Sequence, residues 1–307
     1  MEKLMPEPVG LDKVYSAVEE TADLLGVPCS PEQFAPAVAA FGDELREAHI
    51  VFSMAAGEAH RGELDFDFSV STKGADPYAT ALANGLIKGT DHPVGALLTD
   101  IQARHAVASY GVEYGILGGF KKSYAFFPIG DYPPLAEFAA IPSVPPGISE
   151  HVDTLTRLGL QDTVSAIGVN YAKRTLNVYL GVGEVATETK LELLRTFGFP
   201  EPDAQVAEFV KRSFSMYPTF NWDSSVVERI CFSVKTQDPG ELPAPFHPEI
   251  EKFASGVPHS YAGGREFVSA VALAPSGEAY YKLAAYYQKA QGDSKAAFAA
   301  SREDDAA

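Results

Sequence analysis

The feature of this chain that most constrains its fold is a recurring strand that alternates apolar and polar side chains. In residues 63–70 four apolar residues alternate with four polar ones: Leu64, Phe66, Phe68 and Val70 against Glu63, Asp65, Asp67 and Ser69. The same period of two recurs in residues 175–181 and 229–235. Because successive side chains of a strand point to opposite faces, each strand must separate an apolar environment from a polar one.

The polar faces repeat along the chain. Asp65, Lys122, Asn177 and Arg229 occupy nearly the same point of successive units, at intervals of 57, 55 and 52 residues. Helix-start signals precede the strand pairs, such as Ser30-Pro31-Glu32-Gln33 before the first pair and Asp76-Pro77 before the second. The repeat therefore predicts ααββ units that together build one site.

The patterns predict elements of both kinds along the whole chain. Helices are expected at 11–25, from Ser30, from Asp76 to Gly85, from Asp91, and at 133–139, 149–158 with Ser149 as its cap, 186–197, 203–209, 248–254 and 278–290. Strands are expected at 49–55, 63–71, 105–114, 116–127, 163–171, 174–181, 210–217, 227–235 and 266–274. The total is about ten strands, paired as neighbours.

Neighbouring strands joined by short turns are antiparallel, because parallel pairing needs a long crossover. Two arrangements remain open. In the first, an open sheet exposes its polar face to bulk water. In the second, which the Tyr, Ser and Asn content of the polar faces favours, the fold is α+β: a closed barrel of about ten antiparallel strands surrounded by helices, with a lumen wide enough for a ligand.

Length and charge limit the functions open to the chain. Its 307 residues, 46% of them hydrophobic, fit either two average domains or one large barrel, and the repeat favours one barrel. The barrel domain is expected at 1–291, followed by a small, polar and disordered tail at 292–307. The net charge of −17 argues against nucleic acid or an anionic membrane as partner. Cys29 and Cys231 are the only cysteines, so no disulfide framework is expected. We expect a cytoplasmic monomer without a membrane anchor.

The polar faces carry residues that suit a diphosphate. Three cations and three neutral donors are available: Lys122, Arg229 and Lys282 with Asn177, Tyr217 and Tyr286. Lys282 and Tyr286 are four residues apart and share one face of the expected last helix. Any one of these residues alone is more often a surface lysine or a structural ion pair, and only their common register supports the site.

Other phosphate-binding and catalytic motifs are absent from the sequence. There is no P-loop, no dinucleotide fingerprint, no HExxH and no aspartate-rich DDxxD motif. No organic cofactor is therefore expected, and positive side chains must do most of the diphosphate binding. Tyrosines on the polar faces, such as Tyr124 and Tyr179, could stabilise a carbocation through the negative faces of their rings.

Five segments resemble one known family, the soluble aromatic prenyltransferases with an antiparallel ααββ barrel, in particular their bacterial hydroxynaphthalene and naphthoquinone members. The segments are VFSMAAG at 51–57, ELDFDFSVS at 63–71, GGFKKSYAFFP at 118–128, KRSFSMYPTFNW at 211–222 and YYKLAAYY at 280–287. The similarity extends over nearly the whole chain. It implies that an allylic diphosphate binds at one end of the barrel and an aromatic acceptor beside it.

The resemblance also implies roles for individual residues. The implied diphosphate ligands are Lys122, Lys173, Asn177, Tyr217, Arg229 and Lys282. The tyrosines implied to flank the prenyl chain or act in catalysis are Tyr124, Tyr179, Tyr217 and Tyr286. The residues implied to border the acceptor are Phe214, Ser215, Ser233 and Val268.

Asp65 matches the residue that holds magnesium in the metal-dependent members. Asp67 stands where relatives have a small polar residue, and two readings follow. Either the second carboxylate strengthens a magnesium site, or it pairs with a neighbouring cation and the enzyme needs no metal. Ser165, Ala166 and Gly181 also depart from related lumen residues, which favours a wider acceptor pocket.

We therefore expect an enzyme of secondary metabolism that transfers a geranyl or other allylic group from its diphosphate to an electron-rich polyhydroxylated aromatic, such as a naphthalene or naphthoquinone, by Friedel–Crafts-type alkylation. The runner-up is a non-catalytic carrier of isoprenoids or polyketides. A third reading is a barrel enzyme that acts on a polyketide without prenyl transfer.

Overall fold

The structure, a computed structural model, describes residues 10–57, 60, 62–181, 185–241 and 247–290. The helices are α1 Leu11–Leu25, α2 Pro31–Leu45, α3 Pro77–Ala83, α4 Leu97–Gln102, α5 Leu135–Ala139, α6 Gly147–Arg157, α7 Thr187–Thr196, α8 Ala204–Arg212 and α9 Pro248–Gly256. The strands are β1 Ile50–Ala55, β2 Asp65–Val70, β3 Ser109–Gly115, β4 Gly119–Phe126, β5 Val164–Asn170, β6 Thr175–Leu180, β7 Ser215–Asn221, β8 Arg229–Thr236, β9 Phe267–Leu273 and β10 Ala279–Gln288.

The strands form one closed antiparallel barrel in which each strand pairs with its neighbours in sequence. Closure occurs at β1, where Phe52 lies opposite Phe66 of β2 and Val51 lies opposite Tyr286 of β10. The expected α+β barrel of ten antiparallel strands is confirmed. The alternative of an open sheet with its polar face in bulk water is wrong, since the polar faces line the lumen.

The apolar faces of the strands point outward and pack against the helices. Phe34 of α2 lies 5.3 Å from Phe66 between ring centroids, and Phe41 of the same helix lies 5.3 Å from Phe68. All four rings are buried. The hydrophobic core is therefore the layer between barrel and helices, which leaves the lumen free for polar side chains.

The structure confirms several of the predicted helix starts and ends. Ser30 donates its backbone N–H to the Gln33 side chain ahead of α2, and Asp76 accepts from the backbone N–H groups of Tyr78 and Ala79 at the start of α3. After α3, Gly85 adopts the left-handed conformation, with φ of 68°.

The largest correction concerns the last element. Residues 278–290 do not form a helix, because Ala279–Gln288 is the strand β10 that closes the barrel. The segment is rich in tyrosine, which packs well on a pleated sheet, and its pairing with β1 and β9 decides the outcome. Lys282 and Tyr286 still share a face, because a spacing of four is also a multiple of the strand period.

Smaller corrections shift element boundaries. Ser149 is not the cap of α6, which begins at Gly147, and the Ser149 hydroxyl instead donates to the Pro146 carbonyl. The helix predicted at 203–209 continues to Arg212, so the strand predicted at 210–217 begins only at Ser215. The predicted tail at 292–307 lies outside the described residues. Among the helices that are described, none is long and apolar enough to cross a membrane.

Candidate active site

A cavity of about 350 Å³ occupies the barrel lumen. Most of the site residues predicted from the sequence line it: Asp65, Asp67, Lys122, Tyr124, Lys173, Tyr179, Phe214, Ser215, Tyr217, Arg229, Ser233, Val268, Lys282 and Tyr286. Asn177 is buried, and its side-chain oxygen accepts a hydrogen bond from the Thr219 hydroxyl. Lys173 is exposed and marks the mouth of the cavity. The alternation of side chains thus gathers residues that are distant in sequence.

Three of the lining residues form a cluster of positive charge, which we call the cation end: Lys122, Arg229 and Lys282. All three cations interact electrostatically with one group, the buried thiol of Cys231. Burial raises the pKa of this thiol, while Lys282, Arg229 and Lys122 each lower it, so one point lies within electrostatic reach of all three cations. Such a cluster is suited to an anion with several oxygens.

Lys282 is held as a permanent cation. Burial acts to lower its pKa, but Cys231, Tyr280 and Glu113 outweigh burial and raise the pKa above its ordinary value. The Lys282 Nζ atom also lies 5.4 Å from the centroid of the Tyr280 ring, whose negative face attracts it. The charge is therefore fixed in place before any ligand enters.

Glu113 is the functional side chain that sequence reasoning missed most clearly. Its Oε2 atom accepts from Lys122 Nζ at 2.6 Å and from the Tyr124 hydroxyl at 2.7 Å. Burial acts to raise the pKa of Glu113, but Lys122 outweighs it and brings the pKa down to about 2. The carboxylate is ionised at neutral pH and orients both a cation and a tyrosine of the lumen.

A second ion pair stands beside the first. Lys121 Nζ donates to both carboxylate oxygens of Asp65, at 2.7 and 2.8 Å. Lys121 reaches the lumen because the register between β3 and β4 shifts at Glu113 and Tyr114, which places an extra residue in β4. Two lysines that are adjacent in sequence, Lys121 and Lys122, therefore both line the cavity.

Among the described residues, Asp65 and Glu113 each accept from a lysine, whereas Asp67 accepts from a serine. Its Oδ2 atom accepts from the Ser53 hydroxyl at 3.0 Å, while its Oδ1 atom is buried without a hydrogen-bond partner among the described residues. Burial, together with Glu113 and Asp65 nearby, raises the pKa of Asp67 well above its usual range. A protonated Asp67 fits this environment, since it adds no charge beside Glu113.

Asp65 and Asp67 are the two carboxylates expected to hold magnesium. Both oxygens of Asp65 accept from the Lys121 ammonium, and burial raises the pKa of Asp67 well above its usual range. In the part of the chain that the structure describes, no group of three or more His, Cys, Asp or Glu side chains could hold a metal ion. The positive charge near Asp65 is supplied by the protein itself.

Tyrosine rings form the middle of the lumen wall. The Tyr179 and Tyr217 rings lie 4.3 Å apart between centroids, and Tyr124 meets Tyr179 edge to face at 6.4 Å. Burial raises the pKa values of all three phenols, so each remains neutral. The Tyr217 hydroxyl hydrogen-bonds the Cys231 thiol. The wall is aromatic, uncharged and rigidly packed.

Tyr124 owes its position to glycines on both neighbouring strands. Gly111 of β3 and Gly168 of β5 are its direct cross-strand partners. A Cβ atom added at Gly168 would lie 2.9 Å from the Tyr124 ring, and one added at Gly111 would lie 3.3 Å from it. The ring can lie flat between these strands only because both positions lack a side chain.

The opposite end of the lumen, which we call the serine end, is defined by Phe214, Ser215, Ser233 and Val268. Ser215 and Ser233 lie directly opposite each other across β7 and β8. Lys235 Nζ lies 5.1 Å from the centroid of the Phe214 ring. Hydroxyl groups beside aromatic and aliphatic surface suit a flat ligand that carries its own polar substituents.

Sequence reasoning also missed His49 and Ser69, which line the cavity beyond Tyr286. The Ser69 hydroxyl accepts from the backbone N–H of His49 at 2.9 Å, and the His49 ring meets Tyr286 edge to face at 6.2 Å. Ser69 has the same strand parity as Asp65 and Asp67, so the alternation of β2 could have identified it. His49 opens the strand predicted at 49–55 and shares the parity of Ser53, so the same alternation could have identified it as well.

The barrel lumen gathers cations at one end, tyrosine rings in its middle and hydroxyl groups at the other end. The family model described as aromatic prenyltransferase Orf2 matches residues 9–299, so the chain belongs to this family of aromatic prenyltransferases. The resemblance that the sequence motifs indicated is thereby confirmed, and the chain is a prenyltransferase.

Individual relatives place it more closely. The chain is 44% identical to flaviolin linalyltransferase of Streptomyces virginiae over 93% of this chain and 95% of that protein. It is 39% identical to 5,10-dihydrophenazine-1-carboxylate 9-dimethylallyltransferase of Streptomyces anulatus, over 92% and 95%. It is 41% identical to the furaquinocin biosynthesis prenyltransferase of a Streptomyces species, over 91% of each chain.

Proposed function

We propose that this prenyltransferase transfers a geranyl or similar allylic group from its diphosphate to an electron-rich polyhydroxylated aromatic of the naphthalene or naphthoquinone class. The observation that carries this proposal is the division of one lumen into a cation end, a tyrosine wall and a serine end. Support for a ten-carbon donor and a naphthalene-type acceptor comes from the relative named flaviolin linalyltransferase.

In the first step the carbon–oxygen bond of the allylic diphosphate breaks, and its electron pair stays on the departing oxygen. Lys122, Arg229 and Lys282 stabilise the charge that develops there. Lys173, Asn177 and Tyr217 complete the proposed ligand set. Because the cations are fixed before the ligand enters, little reorganisation accompanies bond cleavage.

The allylic cation must then survive until the acceptor attacks. Tyr124, Tyr179, Tyr217 and Tyr286 surround its path, and the negative faces of their rings attract a cation. The closed wall also excludes water that would quench the cation. The tyrosines therefore act by shape and quadrupole rather than by proton transfer.

The acceptor ring lies at the serine end, between Phe214 and Val268, with its hydroxyls within reach of Ser215 and Ser233. Its electron-rich carbon attacks the allylic cation, a carbon–carbon bond forms, and the ring proton leaves to water. No dedicated base is needed, because rearomatisation makes the ring proton strongly acidic. The protein contributes positioning and electrostatics.

We propose that the enzyme does not depend on magnesium held by Asp65. Lys121 already supplies a cation to that carboxylate through two hydrogen bonds. Asp65→Asn would then reduce stability by about 1–3 kcal/mol, between the values for exposed and buried ion pairs, without changing the response to chelator. Strong stimulation of the wild type by magnesium, lost in Asp65→Asn, contradicts this part of the proposal.

Product formation tests the proposal as a whole. The protein is incubated with dimethylallyl, geranyl or farnesyl diphosphate and a dihydroxynaphthalene, once with magnesium and once with excess chelator, and products are identified by mass spectrometry. We expect a geranyl adduct as the main product under both conditions. The absence of any adduct contradicts the proposed acceptor class, and a dimethylallyl adduct alone contradicts the proposed donor.

A further inference from the structure

We propose that Glu113 is the counter-ion that limits how tightly the cation end retains diphosphate, so that its charge assists release of the product. This inference rests on the proposed function, because it takes Lys122, Arg229 and Lys282 to be the diphosphate ligands. Glu113 itself touches neither donor nor acceptor in this scheme. It acts through Lys122 and Tyr124 and is therefore a positioning residue.

The contacts of Glu113 place a negative charge inside the positive cluster. Its Oε2 atom lies 2.6 Å from Lys122 Nζ and 2.7 Å from the Tyr124 hydroxyl oxygen. Each side chain of the ion pair is only 12% exposed, so water screens their interaction weakly. Glu113 lies opposite Lys122 across β3 and β4, and opposite Asp67 across β2 and β3.

The carboxylates around the cluster divide into three kinds. Asp65 is neutralised by Lys121, and Asp67 favours its protonated form. Glu113 keeps its charge at any ordinary pH, since its pKa lies at about 2. Glu113 is therefore the ionised carboxylate in direct hydrogen-bond contact with Lys122, and its charge also acts at longer range on Lys282.

The chemistry of the reaction explains why such an anion is useful. When the carbon–oxygen bond breaks, the bridging oxygen keeps the electron pair, so inorganic diphosphate carries more negative charge than its allylic ester. A cluster of fixed cations consequently holds the product more tightly than the substrate. An internal carboxylate opposes both, but it opposes the more highly charged product more strongly.

The Lys122 ammonium group can serve both partners in turn. It has three N–H donors, of which Glu113 takes one, so the others remain for a diphosphate. After product departure, Glu113 continues to hold Lys122 in position for the next donor. The alternative of a purely structural ion pair makes the opposite prediction, because loss of a structural partner disorders Lys122 and weakens diphosphate binding.

Glu113→Gln separates these two roles. The amide keeps an oxygen for Lys122 and Tyr124 but removes the charge. Titration calorimetry with inorganic pyrophosphate should show binding tighter by roughly five- to tenfold, the size of a one-unit electrostatic interaction. Steady-state kinetics with the allylic donor should show kcat and KM falling together, because release of the product becomes slower. Unchanged or weaker pyrophosphate binding overturns the proposal.

Asp67→Asn is the matched control, since it alters the directly opposite carboxyl in the same isosteric way but leaves the carboxylate that contacts Lys122 in place. We expect its pyrophosphate affinity to equal that of the wild type. An equal gain in both variants overturns the proposal, because the effect would then not depend on the charge that faces Lys122.

A second comparison applies should Glu113→Gln fail to fold. Lys122→Met is compared with the double variant Lys122→Met/Glu113→Gln, in which neutral groups of similar size replace the ion pair. The double variant should bind pyrophosphate more tightly than the single one, and equal or weaker binding overturns the proposal.

If the wild type binds no pyrophosphate at all, the proposed function fails with it, whereas product formation with no effect at Glu113 leaves that function intact.

Discussion

The two ends of the lumen differ in how their side chains are held. At the cation end, Lys122 is paired with Glu113 and Lys282 lies over the Tyr280 ring, so the charges are oriented by other side chains. At the serine end, Ser215 and Ser233 face each other across two strands and offer small neutral hydroxyls. From this difference we propose that donor recognition is electrostatic and pre-organised, whereas acceptor recognition depends mainly on shape.

The largest effect is expected at the cation end. Arg229→Ala and Lys282→Ala should each raise the KM for the allylic diphosphate and lower turnover. The combined change in kcat/KM is expected to be roughly ten- to 150-fold, because a charge-assisted contact of about 1.5–3 kcal/mol is lost. Steady-state kinetics with varied donor measures it.

Lys211→Ala provides the matched control, because Lys211 is a lysine of α8 whose side chain is 62% exposed. It should leave kinetics unchanged. If Arg229→Ala and Lys282→Ala behave like this control, neither residue belongs to the donor site and the contrast between the two ends fails.

The tyrosine wall between the ends is tested by Gly168→Ala. The new methyl group would meet the Tyr124 ring at 2.9 Å, so the ring or the strand must move. We expect a stability loss of about 1–3 kcal/mol, typical of overpacking, together with reduced turnover. Chemical denaturation and a product assay measure the two effects. Gly74→Ala, which adds a methyl group with nothing within 4 Å, should change neither.

The carboxylates of the lumen predict opposite dependences of stability on pH. The folded-state pKa of Asp67 is raised, so its stabilising contribution is present below the usual value of 3.8 and is lost as pH rises through the raised value. Asp67→Asn cannot ionise, and at neutral pH it should be at least as stable as the wild type. A variant that is clearly less stable at neutral pH would show that Asp67 is ionised.

For Glu113 the dependence of stability on pH has the opposite sign. Its folded-state pKa is lowered from 4.5 to about 2, so its contribution is present above pH 4.5 and is lost as pH falls toward 2. The difference in unfolding free energy between wild type and Glu113→Gln should therefore shrink across this window. Denaturant titrations at a series of pH values measure it, and a constant difference contradicts the assigned pKa.

The smallest effect is expected at the serine end. Ser233→Ala should raise the KM for the acceptor by up to about tenfold, as for loss of one neutral hydrogen bond, and leave the donor KM unchanged. The donor KM serves as an internal control. A larger effect on donor than on acceptor would place Ser233 on the wrong side of the lumen.

The sequence predicted the barrel and much of the site because both depend on the alternation of side chains along each strand. Asp65, Lys122 and Arg229 lie on lumen faces since the period of two fixes which side each residue meets. Even the wrong helix at 278–290 left Lys282 and Tyr286 on one face, because their spacing suits both periods. The face of the strand on which each residue lies could therefore be derived from the sequence alone.

The contacts between side chains of the lumen could not be derived from this alternation. Lys121 reaches the lumen only through the register shift beside Glu113, and the strand pairing is needed to locate that shift. Glu113 lies in an apolar stretch and gained its role from contacts with β4 that only the pairing of strands defines. The state of Asp67 likewise depends on burial beside two other carboxylates.

The most direct test of the account is a crystal structure of the protein with a non-reactive thio-analogue of geranyl diphosphate and a dihydroxynaphthalene. We predict that the diphosphate oxygens lie within hydrogen-bond distance of Arg229 and Lys282, with the naphthalene between Phe214 and Val268. A diphosphate bound at the serine end, or outside the lumen, would contradict the division of the cavity into two ends.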